Sequence, residues 1–221
     1  VPFANYWMHN GFISVDNVKM SKSLGNFFTV RDVANQYGYE PIRYLMISCQ
    51  YRSPINYSFD AIEQCKASLE RLYTCRNNMD FALKNAVDAA GEKDAEIIAS
   101  IDAKKDKFIE AMEDDLNTGE ALGAIFELVK EINLNVNDGV QSKALVEYAI
   151  KVFDELMEVL GLLYNRNAEK SLDDEIEALI QARNDARKAK NWAEADRIRD
   201  ELKAQGIVLE DTPQGVKWHR A

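Results

Sequence analysis

The sequence predicts a mainly α protein in three parts: a segment built around a short lysine-rich loop, an antiparallel helical bundle, and a small α+β module at the C-terminus. Three observations carry this. Only four prolines and ten glycines occur in 221 residues, so few positions break a helix. Three long stretches place apolar residues three and four apart, the spacing of one buried helix face. Beyond residue 172 the pattern changes to two shorter helices and two strand-like runs around a turn.

Residues 1–58 form the first part. Tyr6-Trp7-Met8 and Phe12-Ile13-Ser14-Val15 are strand-like, separated by the turn signal Asn10-Gly11. After the lysine loop, Thr29 can cap a helix beginning at Val30, with Asp32 in the capping-box place. Gly38 ends that helix. Pro41 suits the first turn of a second one, through Ile42–Ser48, and Ser53-Pro54 breaks the pattern.

Residues 59–168 form the bundle. Ile62, Cys65, Leu69, Leu72, Tyr73 and Met79 lie on one helical face. Phe108, Met112, Leu116, Leu122, Ile125, Phe126, Val129 and Ile132 continue the pattern, and Leu145 to Leu163 repeat it. Gly91 to Asp94 and Asn135 to Asp138 read as loops. Asp114-Asp115 is taken as a pair of acidic residues near a helix start or turn, with no histidine or further carboxylate cluster nearby in sequence. Asn165 to Ser171 reads as a polar linker.

Residues 172–221 form the module. A helix is expected over Glu175–Lys190. A second, Trp192–Ala204, has Asn191 and Glu194 at capping-box spacing and Gly206 after its end. Ile207-Val208-Leu209 and Val216-Lys217-Trp218 flank the turn Thr212-Pro213-Gln214-Gly215 as a hairpin. So small a module has a thin core.

Charge is unevenly spread. Residues 1–76 hold 8 basic and 6 acidic side chains, residues 77–180 hold 10 and 24, and residues 181–221 hold 9 and 7. The formal charge of −10 therefore sits in the middle. A polyanion would meet less repulsion at the two ends. A solvated helical surface accounts for the acidic middle equally well. No apolar run reaches the roughly 20 residues that span a bilayer. Cys49, Cys65 and Cys75 are an odd number without a Cys-x-x-Cys pair, and His9 and His219 are the only histidines, so no metal site is readable from spacing. Reduced, buried thiols in a cytoplasmic protein fit.

The chemically informative run is Lys19-Met20-Ser21-Lys22-Ser23, followed by Leu24-Gly25-Asn26. Its serines and Gly25 favour a turn, and its two lysines can oppose negative charge developing on a phosphate chain. A solvated lysine turn satisfies the same spacing.

This string, KMSKSLGN, resembles the second signature of class I aminoacyl-tRNA synthetases. With Asn5 to Gly11, Phe27 to Val33, Tyr51 to Tyr57, Asp114 to Thr118 and Ala186 to Trp192, the chain resembles the cysteinyl-tRNA synthetase family over nearly its whole length. The resemblance implies an ATP-dependent ligase of cysteine and tRNA-Cys, cytoplasmic and monomeric, with magnesium accompanying ATP. Lys22 and Lys19 would be its catalytic pair, stabilising the departing pyrophosphate. Met20, Ser21, Ser23 and His9 would join them at ATP. Residues 1–58 would be the end of the catalytic domain with a stem-contact region, where Arg43 and Arg52 meet tRNA phosphate or, alternatively, form surface ion pairs. The C-terminal module would read the anticodon through Arg187, Trp192, Asp196 and Asp211. For Trp192 the alternative is packing under the hairpin, and for Asp196 an ion pair with Arg199 or Lys203.

The family's upstream His-Ile-Gly-His signature and its zinc ligands do not occur here. The chain is therefore expected to be the C-terminal half of a protein roughly twice as long, inactive by itself in adenylation. Two alternatives stay open: a relative that joins cysteine to an amino sugar, and an RNA-binding module without chemistry.

Overall fold

A computed structural model describes the backbone of residues 3–212 and 215–220. Side chains at 166–175, 177, 210–212, 215, 217, 219 and 220 lie outside the described residues. The chain divides into two compact units, Val1–Leu163 and Tyr164–Ala221.

The first unit begins with β1 (Ile13–Val15), which turns at Asp16-Asn17 into β2 (Val18–Lys19). Both turn residues have positive φ, 49° and 63°, as a tight two-residue hairpin requires. β3 (Ile55–Tyr57) joins the far edge of β1 in parallel, with Ser14 opposite Asn56. Gly11 permits this approach: a Cβ there would stand 2.3 Å from the Ser53 carbonyl oxygen. The strand expected at Tyr6–Met8 does not form. None of the described strands pairs with it, and Tyr6 and Trp7 are exposed, with Trp7 stacked 6.0 Å from Phe3.

Two short helices follow, α1 (Val30–Tyr37) and α2 (Tyr39–Ile47). The Thr29/Asp32 capping box is complete, with the Asp32 amide donating to the Thr29 hydroxyl and the Thr29 amide to the Asp32 carboxylate. These donors also hold the Asp32 carboxyl below its ordinary pKa, the Thr29 backbone N–H most of all. Gly38, at φ 80°, lets α2 restart at once, three residues earlier than the sequence pattern suggests.

The bundle is α3 (Phe59–Lys84), α4 (Asp94–Glu113), α5 (Thr118–Asn135) and α6 (Lys143–Leu160). The helices alternate in direction. Lys104 and Lys107 both meet Glu127, Lys105 meets Glu155, and Arg76 meets Asp154. The apolar stripe from Phe108 to Ile132 is not one helix. Asp115 and Leu116 take positive φ, and Asn117 caps α5 through the Glu120 amide. Ile62, Leu72, Met79, Ile101, Ile125, Leu128, Ile132, Leu145 and Phe153 are fully buried. Each such side chain contributes about 1.5–3 kcal/mol. Val15, Tyr44, Leu45 and Tyr57 belong to the same core, so the residues before 58 are continuous with the bundle.

α2 grips the end of α6. Buried Glu40 accepts from the Leu163 amide at 2.5 Å and from the Tyr73 hydroxyl at 2.8 Å. One turn on, Arg43 Nε donates to the Leu160 carbonyl at 2.6 Å. Gly161 makes room for that guanidinium and, at φ 62°, terminates α6.

The second unit contains α7 (Arg166–Lys188), α8 (Trp192–Ala204), β4 (Ile207–Thr212) and β5 (Gly215–Arg220). The polar linker expected at 165–171 is largely the first turns of α7. Composition suggested a loop, but no glycine or proline between Arg166 and Lys190 stops the helix. Asn191 caps α8 through the Glu194 amide. The hairpin is antiparallel, with Leu209 opposite Trp218. Ile176, Ile180, Ile198, Leu202 and Ile207 make a small separate core, with Trp218 leaning on it.

Candidate functional site

The lysine loop leaves β2 at Lys19 and closes as a 3-10 turn, Lys22–Leu24. Gly25, at φ 69°, ends the turn, and its amide donates to the Lys22 carbonyl. Asn26 spans the loop: its Nδ2 donates to the Lys19 carbonyl at 3.2 Å, and its Oδ1 accepts from the Ser21 amide at 2.9 Å. The Ser21 and Ser23 hydroxyls bond to each other at 2.7 Å. Met20 faces inward against the core. Lys19 and Lys22 are exposed, and Lys22 Nζ lies 5.4 Å from the centre of the Phe27 ring. The result is a short cationic turn whose backbone is held from inside and whose two ammonium groups face water. It suits an anionic ligand that arrives from outside.

His9 is exposed in the segment before β1. Among the described residues no hydrogen bond or ion pair joins it to the lysine loop.

Arg52 and Arg43 are both engaged within the protein. Asp115, in the turn between α4 and α5, accepts from Gln50 Nε2 at 3.1 Å and the Tyr51 hydroxyl at 2.9 Å, and pairs with Arg52 Nη2 at 3.0 Å. The Tyr51 hydroxyl and then Asp115 strengthen the hold of Arg52 on its proton. Asp115 is thus a structural knot on the loop before β3, in keeping with the turn reading of Asp114-Asp115. The ion-pair alternative for Arg52 is realised, and Arg43 serves the end of α6.

In the second unit, Arg187 lies in the last turn of α7 and Trp192 is the first residue of α8. Between them Lys190 takes φ 58°, which turns the chain. Arg187, Lys188, Lys190 and Trp192 are all exposed. The indole of Trp192 is 59% exposed and stands apart from the module's core, so the packing alternative is not what forms; Trp218 takes that place. Asp196 pairs with Arg199 at 3.1 Å, as its structural alternative anticipates. Asp211 sits in β4 opposite Val216, with its side chain outside the described residues. Arg197, unremarked in the sequence, bridges Glu194 and Glu201 at 2.7 and 3.0 Å.

No cluster of three His, Cys, Asp or Glu side chains fit for a metal occurs among the described residues. Burial pushes the thiols of Cys65 and Cys75 up to about 11 and about 12, which suits packing rather than ligation. Motif reading assigned no part to Asn26, which bonds back across the loop, or to Phe27, which lies beside Lys22; an Asn directly after a turn glycine was the available signal.

Three family models match in succession. Residues 1–67 match the tRNA synthetases class I (C) catalytic domain, 107–164 the DALR domain, and 169–218 the cysteinyl-tRNA ligase anticodon binding domain. The chain belongs to the cysteinyl-tRNA synthetase family. It is 49% identical to a cysteine–tRNA ligase of Caldicellulosiruptor saccharolyticus over 99% of its own length and 47% of the relative's. Against those of Lachnospira eligens and Clostridioides difficile it is 50% and 48% identical, again over 47% of each relative. It thus spans about half the length of the curated relatives it matches. In fold it is similar to a chain of the LeuRS–tRNA–LeuAMS complex from Agrobacterium radiobacter K84, with TM-score 0.54 and 22% identity over 70% of this chain and 22% of that one. No helix among the described residues is long and apolar enough to cross a membrane.

Proposed function

We propose that this family member works as the part of a cysteine–tRNA ligase that presents the phosphate-facing loop and holds the tRNA. The parent reaction activates cysteine with ATP to an adenylate, releases pyrophosphate, and passes the cysteinyl group to the terminal ribose of tRNA-Cys. The observation that carries the reading is the lysine turn, with two exposed ammonium groups on a backbone fixed by Asn26.

In this reading Lys22, with Lys19, neutralises charge that grows on the phosphates as pyrophosphate departs. An interaction made mainly in the transition state raises turnover more than it tightens ground-state binding. Met20, Ser21 and Ser23 shape the turn around the nucleotide, and His9 approaches it from the preceding segment. Magnesium travels with ATP, and zinc belongs to the other half of the parent. In the module, Trp192 offers a face for stacking on an unpaired anticodon base, and Arg187, Asp196 and Asp211 supply polar contacts. Arg43 and Arg52 remain exposed beside their partners within the fold, and in this reading they would serve as secondary phosphate contacts. The protein acts as a cytoplasmic monomer. An amino-sugar ligase would have no use for the anticodon module, and the match over residues 169–218 favours tRNA.

The test is Lys22→Ala in the full-length ligase. Cysteine-dependent ATP–pyrophosphate exchange should slow by a hundred-fold or more, on the order of the loss when one oxyanion donor is removed. The Kd for cysteine should stay within about two-fold. Equal losses in rate and cysteine binding would contradict the assigned role.

A further inference from the structure

We infer that Asn26 and Phe27 are positioning residues for Lys22: the Asn26 amide fixes the turn, and the Phe27 ring seats the lysine until phosphate replaces it. The inference rests on the phosphate-facing role proposed for Lys22.

Asn26 uses both ends of its amide on the loop backbone. It accepts from the Ser21 N–H on one side of Met20 and donates to the Lys19 carbonyl on the other. The loop therefore closes on a side chain five residues after Ser21 instead of on a strand ladder, and its shape is set before any ligand arrives. A turn already ordered loses less entropy when its lysines engage an anion.

Phe27 comes next in sequence and is about half exposed. Its ring is 5.4 Å from Lys22 Nζ, within the range of cation–π attraction. The attraction is weak enough for a phosphate to displace. It still narrows the volume through which the ammonium wanders. Both restraints therefore act on rate through Lys22, with no need for either residue to touch the nucleotide.

Two measurements test this. In the 221-residue chain, ring current from Phe27 should move the ε-methylene protons of isotope-labelled Lys22 upfield. Phe27→Leu and Asn26→Ala should each return them to the free-lysine position, and Phe27→Tyr should keep the shift. An unshifted Lys22 in the parent chain would overturn the seat. In the full-length ligase, Phe27→Leu should slow exchange about two- to five-fold. Asn26→Ala should slow it about ten-fold. Cysteine KM should be unchanged in both, and Phe27→Tyr should restore most of the rate.

Adding Lys22→Ala to either variant should then cost no more than Lys22→Ala alone. Fully additive losses would overturn the positioning role while leaving the function of Lys22 intact. An unchanged rate in Lys22→Ala by itself would overturn the functional reading, and this inference with it.

Discussion

Removing the Glu40 carboxylate should loosen the joint between the lysine-loop segment and the helical bundle. Glu40 is only 5% exposed at the start of α2 and takes two donors from elsewhere in the unit, the Leu163 amide at 2.5 Å and the Tyr73 hydroxyl at 2.8 Å. Glu40→Ala leaves both donors without this acceptor inside the protein. An unsatisfied buried donor costs about 1–3 kcal/mol. Partial relaxation of the Tyr73 hydroxyl toward water puts the expected total near 3 kcal/mol. Glu40→Gln keeps a carbonyl acceptor and should cost about 1 kcal/mol. Urea unfolding followed by far-UV circular dichroism reads the stability of the first unit. Amide exchange at Leu163 reads the bond itself, and its protection should collapse in Glu40→Ala. A loss under about 1 kcal/mol, with Leu163 still protected, would refute the joint.

Further outcomes follow from other sites. Gly161→Ala should cost about 1–2 kcal/mol, because it strains a left-handed position and drives a methyl into the Arg43 guanidinium. Part of that loss should vanish in an Arg43→Ala background. Thr29→Ala should destabilise the first unit by about 1 kcal/mol through loss of the α1 cap, seen in its urea midpoint. The Asp32 carboxyl is lowered in the fold, so its contribution is complete above the ordinary aspartate value. It fades as pH falls through the lowered one; amide exchange in α1 should quicken only in that acid range. Among the thiols, iodoacetamide at pH 8 should modify Cys49 first, Cys65 more slowly and Cys75 last, by peptide mass spectrometry, since burial pushes the last two to about 11 and about 12. Reaction of Cys75 first would contradict its packing.

Local chemistry was legible in the sequence wherever neighbours in sequence are also partners in space. Thr29 with Asp32, and Asn191 with Glu194, cap their helices as their spacing anticipates. The bundle's apolar faces are mostly buried where periodicity puts them, but Leu116, in the turn before α5, and Val159, near the end of α6, are exposed. Features that depend on distant pairing were not legible. β3 is recruited to β1 across 41 residues, and Asp115 collects partners from Gln50, Tyr51 and Arg52. Glu40 carries no sequence signal of its role, which appears only when the fold buries it against Tyr73 and Leu163.

Composition misled at 6–8, where an apolar aromatic run suggested a strand that does not form, and at 165–171, where polarity suggested a linker but the absence of breakers let α7 continue. At the candidate site, the lysines were evident from sequence. What holds them was not, because one asparagine side chain bonding back across a turn leaves no periodic trace.

The most direct test of the account is binding of this chain to tRNA-Cys against the same tRNA with a changed anticodon, at two salt concentrations. The account predicts tighter binding to the native anticodon, a preference that persists at the higher salt and is lost in Trp192→Ala. Equal binding to both, vanishing together as salt rises, would mean phosphate attraction alone and would contradict the reading of the C-terminal module as a base reader.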